Sequence, residues 1–335
     1  MLSSSSRKGR PLSKQVPVQP ANPKLQSASS DIETNDASFV ETSEHCRFVE
    51  FCDACRQYRY IGLCYGPPGV GKTLSARRYS RADLLIGIDP WLDPPLKPPL
   101  PDTIFYTTAV INTPARVASD LSHARERLTG IALRPIEREA HAVLEEIRLR
   151  DEARRREIFE KPGCSPCDRP AVDPVYFQTY QFYQARKKEV SDPTTLIVVD
   201  EADRLQMNSL EQMRSIFDEG RVGMILIGMP GIEKRVARFP QFYSRIGFVH
   251  EFRPLETSEM HALLARRWTP PGVSLPEDSF TPEVVARLIR ITSGNLRLLT
   301  RLLTQIERVL SVNDSQLVSL EIVEAARDSL VIGQA

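Results

Sequence analysis

The sequence lacks the features that mark several other protein classes. Its 335 residues contain no apolar run long enough to cross a bilayer and no hydrophobic core of a signal peptide. The six cysteines form no dense framework, which favours a reducing compartment. A formal net charge of +1 excludes a globally basic nucleic-acid-binding protein, although it leaves room for a local basic face. We therefore expect a cytoplasmic protein that does not contact a membrane.

Acidic residues are absent from the first 30 positions, which are rich in serine and contain several lysines and arginines. This composition resembles an organellar transit peptide, but four prolines interrupt any amphipathic helix there. We therefore expect residues 1–42 to form a disordered basic tail. The proline-rich segment 89–101 is also incompatible with regular structure.

The most specific motif present is a glycine-rich loop that matches the pattern G-x-x-x-x-G-K-[ST]. An apolar run at 60–65 predicts a strand before this loop, and a helix is expected from residue 73 to 80. Backbone N–H groups at such a helix start bind phosphates. Lys72 would reach the β- and γ-phosphates, and the Thr73 hydroxyl would bind Mg²⁺. The alternative is a glycine-proline turn that binds no ligand. The predicted nucleotide contacts are Gly66, Pro67, Pro68, Gly69, Val70, Gly71, Lys72, Thr73 and Leu74.

A second motif lies far downstream, where a β-branched apolar run from residue 194 ends in Asp200 and Glu201. Such a run is typical of a strand buried on both faces of a parallel sheet, whose carboxyl edge binds ligands. Asp200 would hold Mg²⁺, and Glu201 would polarise the water that attacks the γ-phosphate. The alternative is that Asp200 and Glu201 belong to a solvated turn after the strand, and the phosphate loop upstream argues against it. The sequence therefore predicts binding and hydrolysis of a nucleoside triphosphate.

The order of periodic segments predicts an α/β fold with a central parallel sheet, followed by a small all-α lid domain. We place the nucleotide-binding domain at 43–255, with a charged insertion at about 134–192, and the lid at 256–335. Strands are expected at 103–110, 196–199, 223–228 and 248–252. Helices are expected at 44–58, from about 114, at 135–160, 175–190 and 209–217, and in the lid at 257–268, 281–292, 295–311 and 318–330.

Four further segments carry a family resemblance, together with the phosphate loop and the strand ending in DEAD: LIGMPGI at 226–232, FYSRIGF at 242–248, HEFRP at 250–254 and GNLRLLTRL at 294–302. From about residue 48 to 326 the chain resembles the P-loop AAA+ ATPases, and within them the transposition regulators TniB, TnsC, IstB and Mu B. The resemblance implies an ATP-dependent assembly, a ring or helical filament, that binds double-stranded DNA without sequence specificity. Such an assembly recruits or stimulates a transposase, with a target-selector protein as a further partner.

Two arginines acquire roles from this resemblance. Arg245 corresponds to an arginine finger, which reaches the γ-phosphate bound by a neighbouring subunit; a surface arginine is the alternative, and Arg238 or Arg235 could compete. Arg297 corresponds to the sensor arginine of the lid, or else to a surface charge beside Arg301. The family usually has Asn, Thr or Ser where this chain has Met229, so hydrolysis is expected to be slow.

DNA contacts are inferred only by analogy with channel-facing loops of related assemblies. The candidates are Thr113, Arg116, Arg125 and Arg127, and each is equally compatible with a solvated helix face.

Zinc is a further hypothesis, which the sequence does not favour. Cys164 and Cys167 form a knuckle-like pair, and Cys52 and Cys55 offer a second pair, but the two pairs are far apart in the sequence. Cys52 and Cys55 also fit the buried face of a helix.

Two other classes remain open at this point. One is a nucleotide-dependent switch that acts on a protein partner in signalling or secretion. The other is a loader or initiator ATPase of replication, which shares the lid motif at 294–297 but usually has a winged-helix domain after the lid. Nucleotide-dependent assembly on random duplex DNA would distinguish the leading prediction from both.

Overall fold

Five short apolar strands form the central sheet: β1 (Ile61–Tyr65), β2 (Thr103–Thr107), β3 (Leu196–Asp200), β4 (Gly223–Gly228) and β5 (Ile246–Glu251). The computed structural model describes residues 39–85, 99–160 and 174–330. All the strand pairs are parallel, in the order β2-β3-β4-β1-β5. β3 and β4 are buried along their whole length, as expected for strands covered on both faces.

Helices cover both faces of this sheet: α1 (Ser43–Tyr58), α2 (Lys72–Ser80), α3 (Pro114–Phe159), α4 (Pro174–Glu189), α5 (Met207–Gly220), α6 (Ile232–Val236) and α7 (Pro240–Tyr243). Alternate strand residues supply two apolar layers. Ile197 and Val199 pack with α3 and α5 residues on one face, whereas Leu196 and Val198 pack with α1 on the other. The predicted α/β class is therefore confirmed.

The insertion differs from its prediction, because the two helical stretches expected from 114 and at 135–160 are one continuous helix. α3 is 46 residues long and contains Pro135 in its interior. A proline there removes one backbone hydrogen bond and costs about 3 kcal/mol. Contacts with α4 oppose that cost: Tyr183 donates to Glu139 at 3.0 Å, and Lys187 pairs with Glu137 at 3.0 Å. The insertion consequently contains the C-terminal part of α3, packed against α4.

The four lid helices have a hydrophobic core of their own. They are α8 (Thr257–Ala265), α9 (Pro282–Thr292), α10 (Leu296–Val312) and α11 (Leu320–Asp328). Met260, Leu288, Leu302 and Val323 are completely buried between them. Hydrogen-bonding side chains cap three of the helices at their N-termini, which explains why the sequence pattern located their starts well. The all-α lid is confirmed, and the numbered domain boundaries stay predictions.

Several predictions concern residues outside the described ranges. These are the basic tail up to residue 38, the proline-rich segment up to residue 98, and the cysteine pair Cys164 and Cys167. Within the described ranges, no helix is both long and apolar enough to span a membrane.

Candidate nucleotide-binding site

The glycine-rich loop connects β1 to α2 and turns where its glycines permit. Gly69 has φ +83° and Gly71, the N-cap of α2, has φ +112°. A Cβ atom at Gly69 would also lie 2.5 Å from Asn295 Oδ1, so the lid leaves no room for a side chain there. Val70 is buried in the core beneath the loop, whereas Leu74 is exposed beside the cleft. The loop therefore has the backbone form that the sequence motif predicts.

Lys72 lies at the centre of this loop and is only 9% exposed. Its Nζ donates to the carbonyl oxygen of Gly66 at 2.6 Å and to that of Pro67 at 2.7 Å. Burial lowers the pKa of Lys72, and the positive charge of Arg297 acts in the same direction. Since the ammonium is partly desolvated, it would interact strongly with an anion bound in the loop.

The Thr73 hydroxyl donates to Asp200 Oδ2 at 2.8 Å, although the two residues are 127 positions apart. Asp200 is 4% exposed, and its Oδ1 accepts a 3.0 Å hydrogen bond from the backbone N–H of Glu201. A hydroxyl and a carboxylate at this spacing are the hard oxygen donors that suit Mg²⁺. The residues present therefore fit the predicted metal.

Glu201 has a left-handed backbone, with φ +53°, at the point where the chain leaves β3. Its carboxylate forms an ion pair with Arg204, and the two side chains are 40% and 41% exposed respectively. A non-glycine residue with this φ is uncommon, and such residues often occur at functional sites. The backbone thus directs the Glu201 carboxylate into the cleft beside Asp200.

The lid contacts the phosphate loop directly. The backbone N–H of Arg297 donates to the carbonyl oxygen of Gly69 at 2.9 Å, and Asn295 Nδ2 donates to that of Pro68, also at 2.9 Å. Arg297 and Thr300 of α10 face the loop across a cleft of about 730 Å³. Met229, which follows β4, lines the same cleft. The structure therefore brings Arg297 together with Lys72, Thr73, Asp200 and Glu201 around one cleft.

Arg245 lies at the amino ends of the parallel strands, whereas the phosphate loop lies at their carboxyl ends. Its carbonyl oxygen accepts from the N–H of Ile61 at 3.1 Å, at the start of β1, whereas the phosphate loop follows the end of that strand. Its guanidinium pairs with Asp218, with Nη2 2.8 Å from Oδ2. Arg235 donates to backbone carbonyls within the chain, and Arg238 is exposed. Arg245 is therefore separated from its own phosphate loop by the length of a strand.

The four candidate DNA contacts lie at the N-cap and in the N-terminal third of α3, and they differ in exposure. Thr113 caps α3 by accepting from the N–H of Arg116 at 3.3 Å, and the Arg116 side chain is 62% exposed. Arg125 instead lies 3.7 Å from Asp192 and is half-buried. Arg127 donates to the carbonyl of Leu85. Thr113, Arg116 and Arg127 are therefore exposed, and the roles of all four residues stay predictions.

The cysteines in the described ranges do not assemble a metal site. Cys52, Cys55 and Cys64 are buried, and burial raises the pKa of Cys55 to about 12 and the pKa values of Cys52 and Cys64 as well. Their thiols are therefore protonated at neutral pH. Among described residues, no three His, Cys, Asp or Glu side chains are grouped to hold a metal ion.

Sequence reasoning missed several residues that shape the site. Asn295 lies within the GNLR segment and Arg204 lies three positions after Glu201, but neither motif by itself indicates a role for these two side chains. Asn112 and Asp218 carry no recognisable motif, since their partners are distant in the sequence.

A phosphate loop, paired strand-end carboxylates and a helical lid together define a P-loop nucleotide-binding protein of AAA+ type. Residues 55–236, just over half of the chain, match the family described as AAA domain, and the protein belongs to that family. A Staphylococcus aureus protein described as "Potential ATP-binding protein" is 39% identical over 305 residues, which cover 90% of this chain and 99% of that protein.

The structure is also similar to solved structures of other proteins. Cdc6p from Pyrobaculum aerophilum has a TM-score of 0.51 and 13% identity, covering 91% of this chain and 72% of that chain. The Thermotoga maritima RuvB Holliday junction branch migration motor has a TM-score of 0.47 and 13% identity, covering 87% of this chain and 70% of that chain. At 13% identity the similarity to Cdc6p concerns the fold alone.

Proposed function

We propose that the protein binds ATP together with Mg²⁺ and hydrolyses it. The observation that carries this proposal is the 2.8 Å contact between the Thr73 hydroxyl and Asp200, with Glu201 adjacent. Thr73 and Asp200 would hold Mg²⁺, whose charge offsets that of the phosphate oxygens. The relative described as a potential ATP-binding protein supports the choice of nucleotide.

The remaining side chains have distinct roles in this proposal. Lys72 binds phosphate oxygens in place of the carbonyl groups that it now contacts. Glu201 accepts a proton from the attacking water, and Arg297 links the lid to the phosphates. Met229 has no polar side-chain group to position that water, although it lines the cleft. Turnover is consequently slow, and a rate comparable with that of fast AAA+ unfoldases would contradict this part of the proposal.

Assembly is the next element of the proposed function. Since Arg245 lies about 13 Å from the phosphate loop, measured along β1, it acts on the nucleotide of a neighbouring subunit. A guanidinium suits that role because it is permanently charged and matches phosphate geometry. Each site is then complete only in a ring or helical filament of several copies.

We further propose that this assembly forms on double-stranded DNA and that it recruits or stimulates a transposase, with a target selector as an additional partner. The resemblance to transposition regulators supports this assignment, together with the exposed Thr113 and Arg116 at the start of α3. A near-neutral chain can form a basic channel once several copies align these groups.

Electron microscopy of the full chain on random-sequence duplex DNA tests the proposal, with ATP, a non-hydrolysable analogue or no nucleotide. Nucleotide-dependent rings or filaments that dissociate as salt is raised are expected. Arg245→Ala should abolish DNA-dependent turnover, whereas Arg238→Ala, a matched exposed arginine, should not. Absence of assembly at low salt would contradict the DNA assignment, and absence of ATP hydrolysis would contradict the enzymatic one.

A further inference from the structure

A third carboxylate, that of Asp203, lines the nucleotide cleft together with Asp200 and Glu201. Asp203 lies in a single turn of 3₁₀-helix, Ala202–Arg204, that follows β3. Its Oδ1 accepts a 3.3 Å hydrogen bond from the backbone N–H of Met229, the first residue after β4. The Asp203 side chain therefore connects the end of β3 to the end of β4.

Gly228, the last residue of β4, permits this close approach. A Cβ atom at Gly228 would lie only 3.0 Å from Asp203 Oδ1. The 3₁₀ turn is held in turn by Arg235 of α6, which donates to the backbone carbonyl oxygens of Asp203 and Leu205. Because the turn and the strand end are both fixed, the Asp203 carboxylate has a defined position, which a group that orients a reactant needs.

The three carboxylates differ in what they bind. Asp200 is bound by the Thr73 hydroxyl and by the backbone N–H of Glu201. The Glu201 carboxylate pairs with Arg204. Within the described ranges, Asp203 Oδ2 has no hydrogen-bonding or ion-pair partner. Since a carboxylate oxygen accepts hydrogen bonds, Oδ2 of Asp203 is available to a water molecule in the cleft.

Asp203 also lies within electrostatic range of the lysine of the phosphate loop. Burial lowers the pKa of Lys72, and the negative charge of Asp203 is among the charges that oppose this effect. Met229 lines the same cleft, but its thioether is only a weak acceptor. Where β4 meets the cleft, the strong hydrogen-bonding side chain is therefore that of Asp203.

We propose that Asp203 orients the water that attacks the γ-phosphate, a task for which Met229 offers no suitable group. The water oxygen forms a bond to the γ-phosphorus while the bond from that phosphorus to the β–γ bridging oxygen breaks, and Glu201 accepts one proton of the water. Asp203 accepts a hydrogen bond from the other hydrogen. Its negative charge also repels the γ-phosphate, so turnover stays slow. The inference rests on the proposed function, in which Glu201 is the general base.

The experiment is a double-mutant cycle of Asp203→Asn with Met229→Asn, with kcat measured at saturating ATP and Mg²⁺. Asp203→Asn keeps an oxygen for the Met229 N–H, but it replaces Oδ2 by an NH₂ group that cannot accept from water. We expect kcat to fall about 10- to 100-fold. ATP affinity, titrated with a fluorescent analogue, should be unchanged or tighter, because a negative charge near the phosphates is removed.

Met229→Asn places a new amide oxygen at the end of β4. It should change kcat by less than about twofold in the wild type, where Asp203 already binds the water, and raise it about tenfold or more in Asp203→Asn. Additive effects in the cycle, or a wild-type or higher kcat in Asp203→Asn, would overturn the proposal. A purely structural role for Asp203 predicts no rescue, because the Met229 side chain takes no part in the hydrogen bond to Asp203.

The matched control is Glu233→Gln. Glu233 accepts a 2.8 Å hydrogen bond from the N–H of Gly231 in the loop that follows β4, and it does not line the cleft. Its substitution should leave kcat unchanged, and a loss as large as that in Asp203→Asn would overturn the proposal. Denaturation of each variant should give the wild-type free energy of unfolding, since both substitutions keep the acceptor of the backbone bond.

Glu201→Gln separates failure of this inference from failure of the proposed function. If the wild type turns over, Glu201→Gln does not and Asp203→Asn is unaffected, the inference alone fails. If the wild type binds ATP without hydrolysing it, the enzymatic part of the proposed function fails and the role of Asp203 fails with it.

Discussion

Replacement of Asn295 should separate the stability of the lid from its contact with the phosphate loop. Asn295 has two roles: its Oδ1 caps α10 by accepting from the N–H of Leu298 at 3.1 Å, and its Nδ2 donates to Pro68 at 2.9 Å. Asn295→Ala removes both bonds. Asn295→Ser keeps a good cap, but its side chain is too short to reach Pro68.

The two variants should therefore differ in a predictable way. Loss of the cap costs about 1 kcal/mol, and loss of one neutral hydrogen bond costs a further ~1 kcal/mol. Asn295→Ala should lower the free energy of unfolding by roughly 2 kcal/mol, and Asn295→Ser by about half of that. Both should weaken ATP binding by about two- to tenfold, because a loop freed from the lid must be ordered when nucleotide binds.

Ser319→Ala provides the matched control. Ser319 caps α11 by accepting from the N–H of Ile322 at 3.3 Å, and it does not line the nucleotide cleft. Its loss should cost about 1 kcal/mol of stability with no change in ATP affinity. Chemical denaturation and titration with a fluorescent ATP analogue measure the two quantities. Wild-type affinity in Asn295→Ser, or equal weakening in Ser319→Ala, would refute the reasoning.

Three further changes test other parts of the structure. Gly294→Ala should cost roughly 1–3 kcal/mol on denaturation, because φ is +79° and the new Cβ would lie 2.2 Å from the Leu255 carbonyl oxygen; unchanged stability would contradict this. If Arg245 acts on the nucleotide of a neighbouring subunit, as proposed, Asp218→Asn should raise turnover about two- to fivefold at high protein concentration, because it frees Arg245; a decrease would mean that Asp218 positions Arg245. Burial lowers the pKa of His250 below 6.5, so the unfolded chain binds more protons and acidification below about pH 6.5 destabilises the fold. His250→Phe should reduce the loss of stability measured between pH 7 and 5.5, and an unchanged pH profile would exclude this role.

Much of the fold could be predicted because the relevant signals are local. Apolar strands and helix caps act over a few residues, so strand and helix positions agreed closely with the pattern. The interior Pro135 was a harder case, since a single helix through it depends on contacts made by α4. Arg125 was equally undetermined, because only the folded chain places it beside Asp192.

The sequence by itself determined the phosphate loop, the paired carboxylates of Asp200 and Glu201, and the apolar strands that precede them. Each is a short pattern whose residues are neighbours in the chain, so their chemistry is visible without the fold. The tertiary structure alone decided that Thr73 meets Asp200 and that Asn112 holds Arg204. Such contacts join segments about 90 to 130 positions apart. They follow from the strand order, in which β2 lies beside β3 and β4 lies between β3 and β1, so that the carboxyl ends of these parallel strands meet at one side of the sheet.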